Sequence, residues 1–269
     1  MAENTALEKT LSQESSTNSS ASLIRRLHYW WSLCAAGALL LFLGPPILFI
    51  AWIVNKHDLV YPVATFGAKW WLRLSGVRVV VKGIEHLDPK QTYVFVCNHR
   101  SYLDTASIFV YLGRRLGLLA KKELLKVPVL GVGMGFVNVM AIDRSNRESA
   151  IRTADAAVKR IRSGVSFAVF VEGTRARPGE LLPFKKGAFY MARQACVPVV
   201  PIAIKNSDVL MGKGTGEARS GELEMVIKPP LEIPLEETDQ DINDEIAEAR
   251  RLIAEELGVE PQTFTETGK

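Results

Sequence analysis

The chain has 269 residues, 48% of them hydrophobic and 23% charged, which is too apolar for general disorder and long enough for one large α/β domain plus an accessory segment. Its net charge of +4 hides an asymmetry: residues 231–269 carry twelve acids and three bases, which leaves a basic body suited to an anionic surface or substrate, phospholipid headgroups and nucleic acid both allowed. Cys34, Cys97 and Cys196 stand far apart in apolar contexts without C-x-x-C spacing, so a disulfide framework is excluded and a reducing compartment is expected.

Residues 1–22 are rich in Ser, Thr, Glu and Gln and are expected to form a disordered tail, because they offer too little apolar surface to offset ordering entropy. Arg25 and Arg26 precede a stretch, residues 27–55, without a single Asp, Glu, Lys or Arg. As one helix it would be about 43 Å long, enough for a tilted span of a hydrocarbon core of about 30 Å. Gly44-Pro45-Pro46 points instead to two limbs, because a proline inside a helix costs about 3 kcal/mol. A hairpin dipping into one leaflet is the favoured expectation, with both ends on the cytoplasmic face; a kinked span is the alternative. Tyr29, Trp30, Trp31 and Trp52 stand where interfacial anchors would. An amphipathic stretch over 61–74 follows, and residues 23–76 are taken together as the membrane-associated part.

The globular part is expected over residues 77–260, with 261–269 as a flexible terminus. Strand patterns lie at 77–82, 93–97, 116–120, 137–143, 165–171, 199–204 and 223–228, and helical patterns at 104–112, 147–162, 186–196 and 242–257. Such alternation predicts an α/β fold with a largely parallel or mixed central sheet and helices on both faces.

Chemistry gathers at the strand ends. Cys97-Asn98-His99 closes one strand and Asp104 follows five positions later. A histidine has the pKa a general base for a hydroxyl needs, and a carboxylate beside it fixes its tautomer. Alone, the pair equally fits a corner histidine and an N-cap aspartate. Phe170-Val171-Glu172-Gly173-Thr174-Arg175 closes another strand, Ala141-Ile142-Asp143-Arg144 a third, and Lys121-Lys122 a fourth. Each base alone fits a solvated surface charge. Pointing to one sheet edge, the four would line one crevice, the usual ligand position in an open α/β sheet, with arginine able to fork onto a phosphate. With four histidines and no H-E-x-x-H, no metal site is expected.

These blocks resemble the 1-acylglycerol-3-phosphate acyltransferases, within the wider glycerolipid acyltransferase superfamily. Asn98-His99 through Asp104 is similar to N-H-x-x-x-x-D, Ala141-Ile142-Asp143-Arg144 to the second block, Phe170 to Arg175 to F-P-E-G-T-R, and Val197-Pro198-Val199-Val200-Pro201-Ile202 to V-P-I-I-P-V. Val171 stands where the family usually has proline, and Ala176 where serine often follows. The resemblance implies that His99, oriented by Asp104, deprotonates the sn-2 hydroxyl of a lysophosphatidic acid, which attacks acyl-CoA or acyl carrier protein without an acyl-enzyme. It implies a substrate site drawn from Arg175, Gly173, Glu172, Thr174, Arg144, Lys121, Lys122 and Asn98, no cofactor beyond the thioester co-substrate, and a membrane location among lipid partners. A sibling activity on another lysolipid or on glycerol-3-phosphate shares the blocks. A serine thioesterase is disfavoured by the absence of G-x-S-x-G, and nucleic-acid binding by the uncharged stretch and the lack of a module. A non-catalytic, membrane-bound anion-binding protein is the rival of a different class.

Overall fold

The computed structural model describes residues 2–143, 145–231 and 239–260. In chain order its elements are α1 (Ala2–Ile53), α2 (Val60–Leu74), β1 (Val77–Lys82), β2 (Val94–Cys97), α3 (Tyr102–Tyr111), β3 (Leu116–Lys121), α4 (Leu130–Met134), β4 (Val139–Ile142), α5 (Arg147–Arg162), β5 (Ser166–Phe170), α6 (Gly187–Ala195), β6 (Val199–Lys205), α7 (Ser207–Met211), β7 (Gly221–Ile227) and α8 (Asp239–Leu257). The two five-residue helices α4 and α7 are too short to leave a period in the sequence, and neither is among the expected elements.

Alternating side chains of β2 build both cores. Phe95 and Cys97 point into a cluster with Leu72 of α2 and Leu103 and Ile108 of α3. Val94 and Val96 point to the other face, against Ile161 of α5, Phe189 of α6 and Ile253 of α8. A strand buried on both faces reads as a continuous β-branched and aromatic run, as Val94-Phe95-Val96 does. The sheet runs β1-β7-β6-β2-β5-β3-β4. Parallel pairing joins β6, β2, β5, β3 and β4, and the one antiparallel pair, β6 with β7, reverses β7 and its parallel neighbour β1. The fold is thus mixed α/β with helices on both faces, as expected.

The N-terminal part is a helical hairpin, but its turn is not at Gly44-Pro45-Pro46. Helix α1 runs through both prolines, and the chain reverses only beyond Ile53, so that α2 returns antiparallel along it. Trp71 Nε1 donates to Ser32 O at 2.9 Å, Trp31 Nε1 donates to Leu74 O at 2.9 Å, and Ile47 and Leu48 pack against Val60 and Tyr61. Packing on both sides of the prolines outweighs their local cost and holds the helix axis. Gly44 serves proximity instead of termination: a Cβ there would collide with the side chain of Val129 in the loop before α4. The segment expected as a disordered tail continues α1 back to Ala2, since extending an existing helix is far cheaper than nucleating one. The proposed flexible terminus, 261–269, lies outside the described residues.

Helix α1 contains a 34-residue stretch, Ser20–Ile53, whose most apolar 18-residue window has a mean hydropathy of 2.3, the one helix among the described residues long and apolar enough to cross a membrane. Only 6% of its most apolar window is buried, which rules out the core helix of a soluble domain. One side packs on α2, while Trp30, Leu41, Phe42, Phe49 and Trp52 remain exposed.

Candidate active site

Because β2, β5, β3 and β4 are parallel neighbours, their carboxyl ends share one sheet edge. Cys97 lies level with Phe170, so the segments that follow, carrying His99 and Glu172, emerge side by side.

The corner after β2 is shaped by a capping box. Ser101, extended at φ −141°, caps α3 by accepting from Leu103 N at 3.2 Å, and Asp104 at the third helical position reaches back to Ser101 N at 2.8 Å. The pattern Ser-x-x-Asp is a known helix start and was readable in the sequence. The same Asp104 Oδ2 accepts from Arg100 N at 2.7 Å and lies 2.9 Å from His99 Nδ1. A carboxylate at Asp104, fully buried, can only accept, so this bond matches the tautomer with the proton on Nδ1, and Nε2 makes no hydrogen bond among the described residues. The imidazole also stacks on Phe170, centroids 3.9 Å apart at 18°, and its side chain keeps 16% of its exposure. A histidine held by a carboxylate and a ring has the geometry that a general base requires.

Glu172 and Asn98 differ from their expected part in holding substrate. Glu172 Oε1 accepts from His99 N at 2.6 Å and Oε2 from Leu182 N at 2.7 Å. Burial pushes this carboxyl up to about 7, against those two backbone bonds, which favour its charged form. Asn98 is fully buried, donating to Ile204 O at 3.0 Å and accepting from Ile204 N at 2.7 Å. Its amide stands in for one more residue of the β2–β6 ladder. Both side chains are bonded to backbone and position the corner.

Arg175 is brought to the same corner. Ala176 N donates to His99 O at 2.7 Å, and the Arg175 guanidinium lies 3.8 Å over the Tyr102 ring at the start of α3. Such a cation–π contact fixes the plane of the fork. Gly173 adopts φ +73°, which is why glycine stands there; space is not the constraint, since a Cβ would meet only Lys185, at 3.7 Å. Thr174 is exposed beside it. Val171, in the usual proline position, donates its N–H to Cys97 O at 3.2 Å, a bond proline could not make.

Lys121 and Lys122 close β3, two strands or about 10 Å from β2. Both are exposed and paired, Lys121 with Glu123 at 3.4 Å and Lys122 with Asp143 at 2.5 Å. The Lys122 ammonium and two bonds from Ser145 hold the Asp143 carboxyl at about 2. They border the crevice without touching His99. Arg144 lies outside the described residues.

A buried pair went unseen in the sequence. Arg100 donates through Nη1 to Asp208 Oδ2 at 3.1 Å and through Nε to Glu180 O at 2.9 Å, and Asp208 also accepts from Gly179 N at 3.1 Å. Nothing local marks a partner 108 residues away.

Over the strands and corners described above, residues 78–205, the chain matches the acyltransferase family model. Curated proteins are similar to part of it. The 1-acyl-sn-glycerol-3-phosphate acyltransferase alpha of Homo sapiens is 38% identical over 159 residues, covering 59% of this chain and 56% of that protein. The chloroplastic 1-acyl-sn-glycerol-3-phosphate acyltransferase BAT2 of Brassica napus is 32% identical over 171 residues, 62% of this chain and 49% of that protein. The chain thus spans about half the length of these relatives. The crystal structure of the 1-acyl-sn-glycerophosphate acyltransferase PlsC from Thermotoga maritima shares the fold, with TM-score 0.75 at 24% identity over 90% of this chain and 99% of that one.

Proposed function

We propose that the protein transfers a fatty acyl group from acyl-CoA or acyl carrier protein to the sn-2 hydroxyl of 1-acylglycerol-3-phosphate, giving phosphatidic acid. The observation that carries this reading is the His99 Nδ1–Asp104 bond of 2.9 Å, which leaves Nε2 as the basic nitrogen. Nε2 takes the hydroxyl proton as the oxygen attacks the thioester carbonyl. The tetrahedral intermediate then expels the thiolate, which recovers that proton from the imidazolium and leaves as a free thiol. Arg175 holds the acceptor phosphate, with Gly173 and Thr174 on the same loop, Arg144 as a further phosphate-binding residue, and Lys121 and Lys122 adding positive potential at the rim. Asp104 stabilises the imidazolium.

In this reading α1, covered along one side by α2 and the loop before α4, lies in one leaflet with both ends of its apolar stretch and the catalytic corner on the cytoplasmic face. Accessibility labelling of single cysteines near residues 24 and 58 tests this: labelling from opposite sides would mean a span.

For the reaction, purified protein and a His99→Ala variant are given lysophosphatidic acid and radiolabelled oleoyl-CoA. Equal product from both would remove His99 from the base role. Product only with another lysolipid or with glycerol-3-phosphate would move the protein to a sibling activity.

A further inference from the structure

The turn at Lys122–Lys126 and α4 after it form a knuckle of which the proposed site uses only Lys122. Leu124, Leu125, Val127 and Val132 are exposed on it, Leu125 to 53% and Val132 to 65%. Lys121 and Lys122, paired with Glu123 and Asp143, flank them, and Lys126 stands between Leu125 and Val127. Isolated exposed leucines need no explanation, but four large apolar residues within nine positions do.

The knuckle is a built feature and holds these side chains outward. Val127 N donates to Leu124 O at 3.1 Å, Gly131 N to Val127 O at 2.9 Å and Gly133 N to Val129 O at 2.8 Å. At Gly131 a Cβ would run into the Leu125 carbonyl. Val129 sits at φ 66°, ψ −52°, a conformation that a β-branched residue adopts only when its surroundings force it. What forces it is the seat on α1, where Val129 occupies the space that a side chain on Gly44 would take. Leu41 and Phe42, just before Gly44, are themselves exposed, Phe42 to 79%.

We propose that this knuckle is a second membrane contact, its apolar side chains entering the same leaflet as α1 and its lysines meeting anionic headgroups. Continuity with the apolar face of α1 and the alternation of lysine with leucine and valine select a lipid surface as the occupant. The inference rests on the membrane reading of α1. Its consequence is that the carboxyl end of β3 sits at headgroup depth, so a lysolipid brings its phosphate to the crevice while its chain stays in the bilayer.

The test uses the full chain with Cys34 and Cys196 replaced by serine, Cys97 being fully buried and its thiol pushed up by that burial, hence unreactive. A bimane probe is placed singly at Phe42→Cys, Leu125→Cys, Val132→Cys and Glu255→Cys, and the protein is bound to phosphatidylcholine–phosphatidic acid vesicles with or without brominated acyl chains. Quenching of about twofold or more is expected at 42, 125 and 132 and none at 255. Quenching at 42 but not at 125 or 132 overturns the second contact alone; no quenching at 42 removes the membrane reading as well. A response at 125 or 132 to acyl carrier protein, without quenching by brominated lipid, assigns the knuckle to that acidic partner and overturns the proposal. In a functional arm, the double variant Leu125→Glu, Val132→Glu is expected to lose about tenfold or more in turnover of vesicle-borne lysophosphatidic acid, yet stay within about twofold on a short-chain monomeric one. Equal loss on both substrates also overturns it.

Discussion

The main-chain N–H of His99 donates to Glu172 Oε1 at 2.6 Å, so the base and the end of the neighbouring strand move as one piece. That bond comes from a carboxyl that burial pushes up to about 7 from its ordinary 4.5. A folded pKa above the unfolded one means that the folded protein binds the extra proton, and stability from this group is full below about pH 4.5 and lost as pH rises through 7. The loss is on the order of 2–3 kcal/mol. Glu172→Gln lacks this slope, but its amide can accept from only one of the two N–H groups, which costs about 1–3 kcal/mol at low pH. Urea unfolding between pH 5 and 8 should therefore show wild type ahead of the variant at pH 5 and the gap narrowing towards pH 8; a constant gap contradicts the raised pKa.

His99→Ala should lower turnover about 10²–10⁴-fold, with a stability loss of only about 1 kcal/mol from the lost stacking on Phe170. Asp104→Asn keeps an oxygen for the backbone N–H groups of Arg100 and Ser101 but loses the charge that orients and stabilises the imidazolium. Its expected signature is a turnover loss of about 10²-fold or more at near-normal stability. Asp104→Ala should add a stability loss of about 1–2 kcal/mol from the broken cap. Steady-state kinetics beside thermal unfolding separates the three.

The buried Arg100–Asp208 pair predicts a different pattern. Asp208→Ala leaves a guanidinium that is only 4% exposed without its carboxylate, at a cost of about 3–5 kcal/mol. The double variant Arg100→Met, Asp208→Leu should recover much of that, because two apolar groups leave no buried charge unpaired. A denaturant double-mutant cycle with no recovery would show that the pair does not act as a unit.

Arg175→Ala should raise KM for lysophosphatidic acid about 10–100-fold, the loss of one charged fork on a phosphate. Tyr102→Ala removes only the platform beneath the guanidinium, at 3.8 Å, and should raise KM about two- to fivefold. Titration of initial rates against acceptor concentration distinguishes them, and an unchanged KM in Arg175→Ala would take the phosphate away from that residue.

The sequence by itself determined the order of strands and long helices, the apolar stretch and the strand-end positions of the chemistry. These depend on local signals: β-branched runs, helical periodicity, a capping box and motif spacing all lie within a few residues of one another. It also misplaced the hairpin turn, because the local cost of Pro45 and Pro46 was weighed without the packing that α2 supplies on either side of them. Only the tertiary structure decided that Asn98 and Glu172 are consumed by backbone, that Arg175 rests on Tyr102, that Arg100 meets Asp208, and that a tight knuckle seats on Gly44. Each of those outcomes depends on which strands and loops become neighbours. The order β6-β2-β5-β3 brings together groups up to 108 residues apart in the chain, and burial between them, which no single segment encodes, converts ordinary charged and amide side chains into fixed parts of the corner that holds His99.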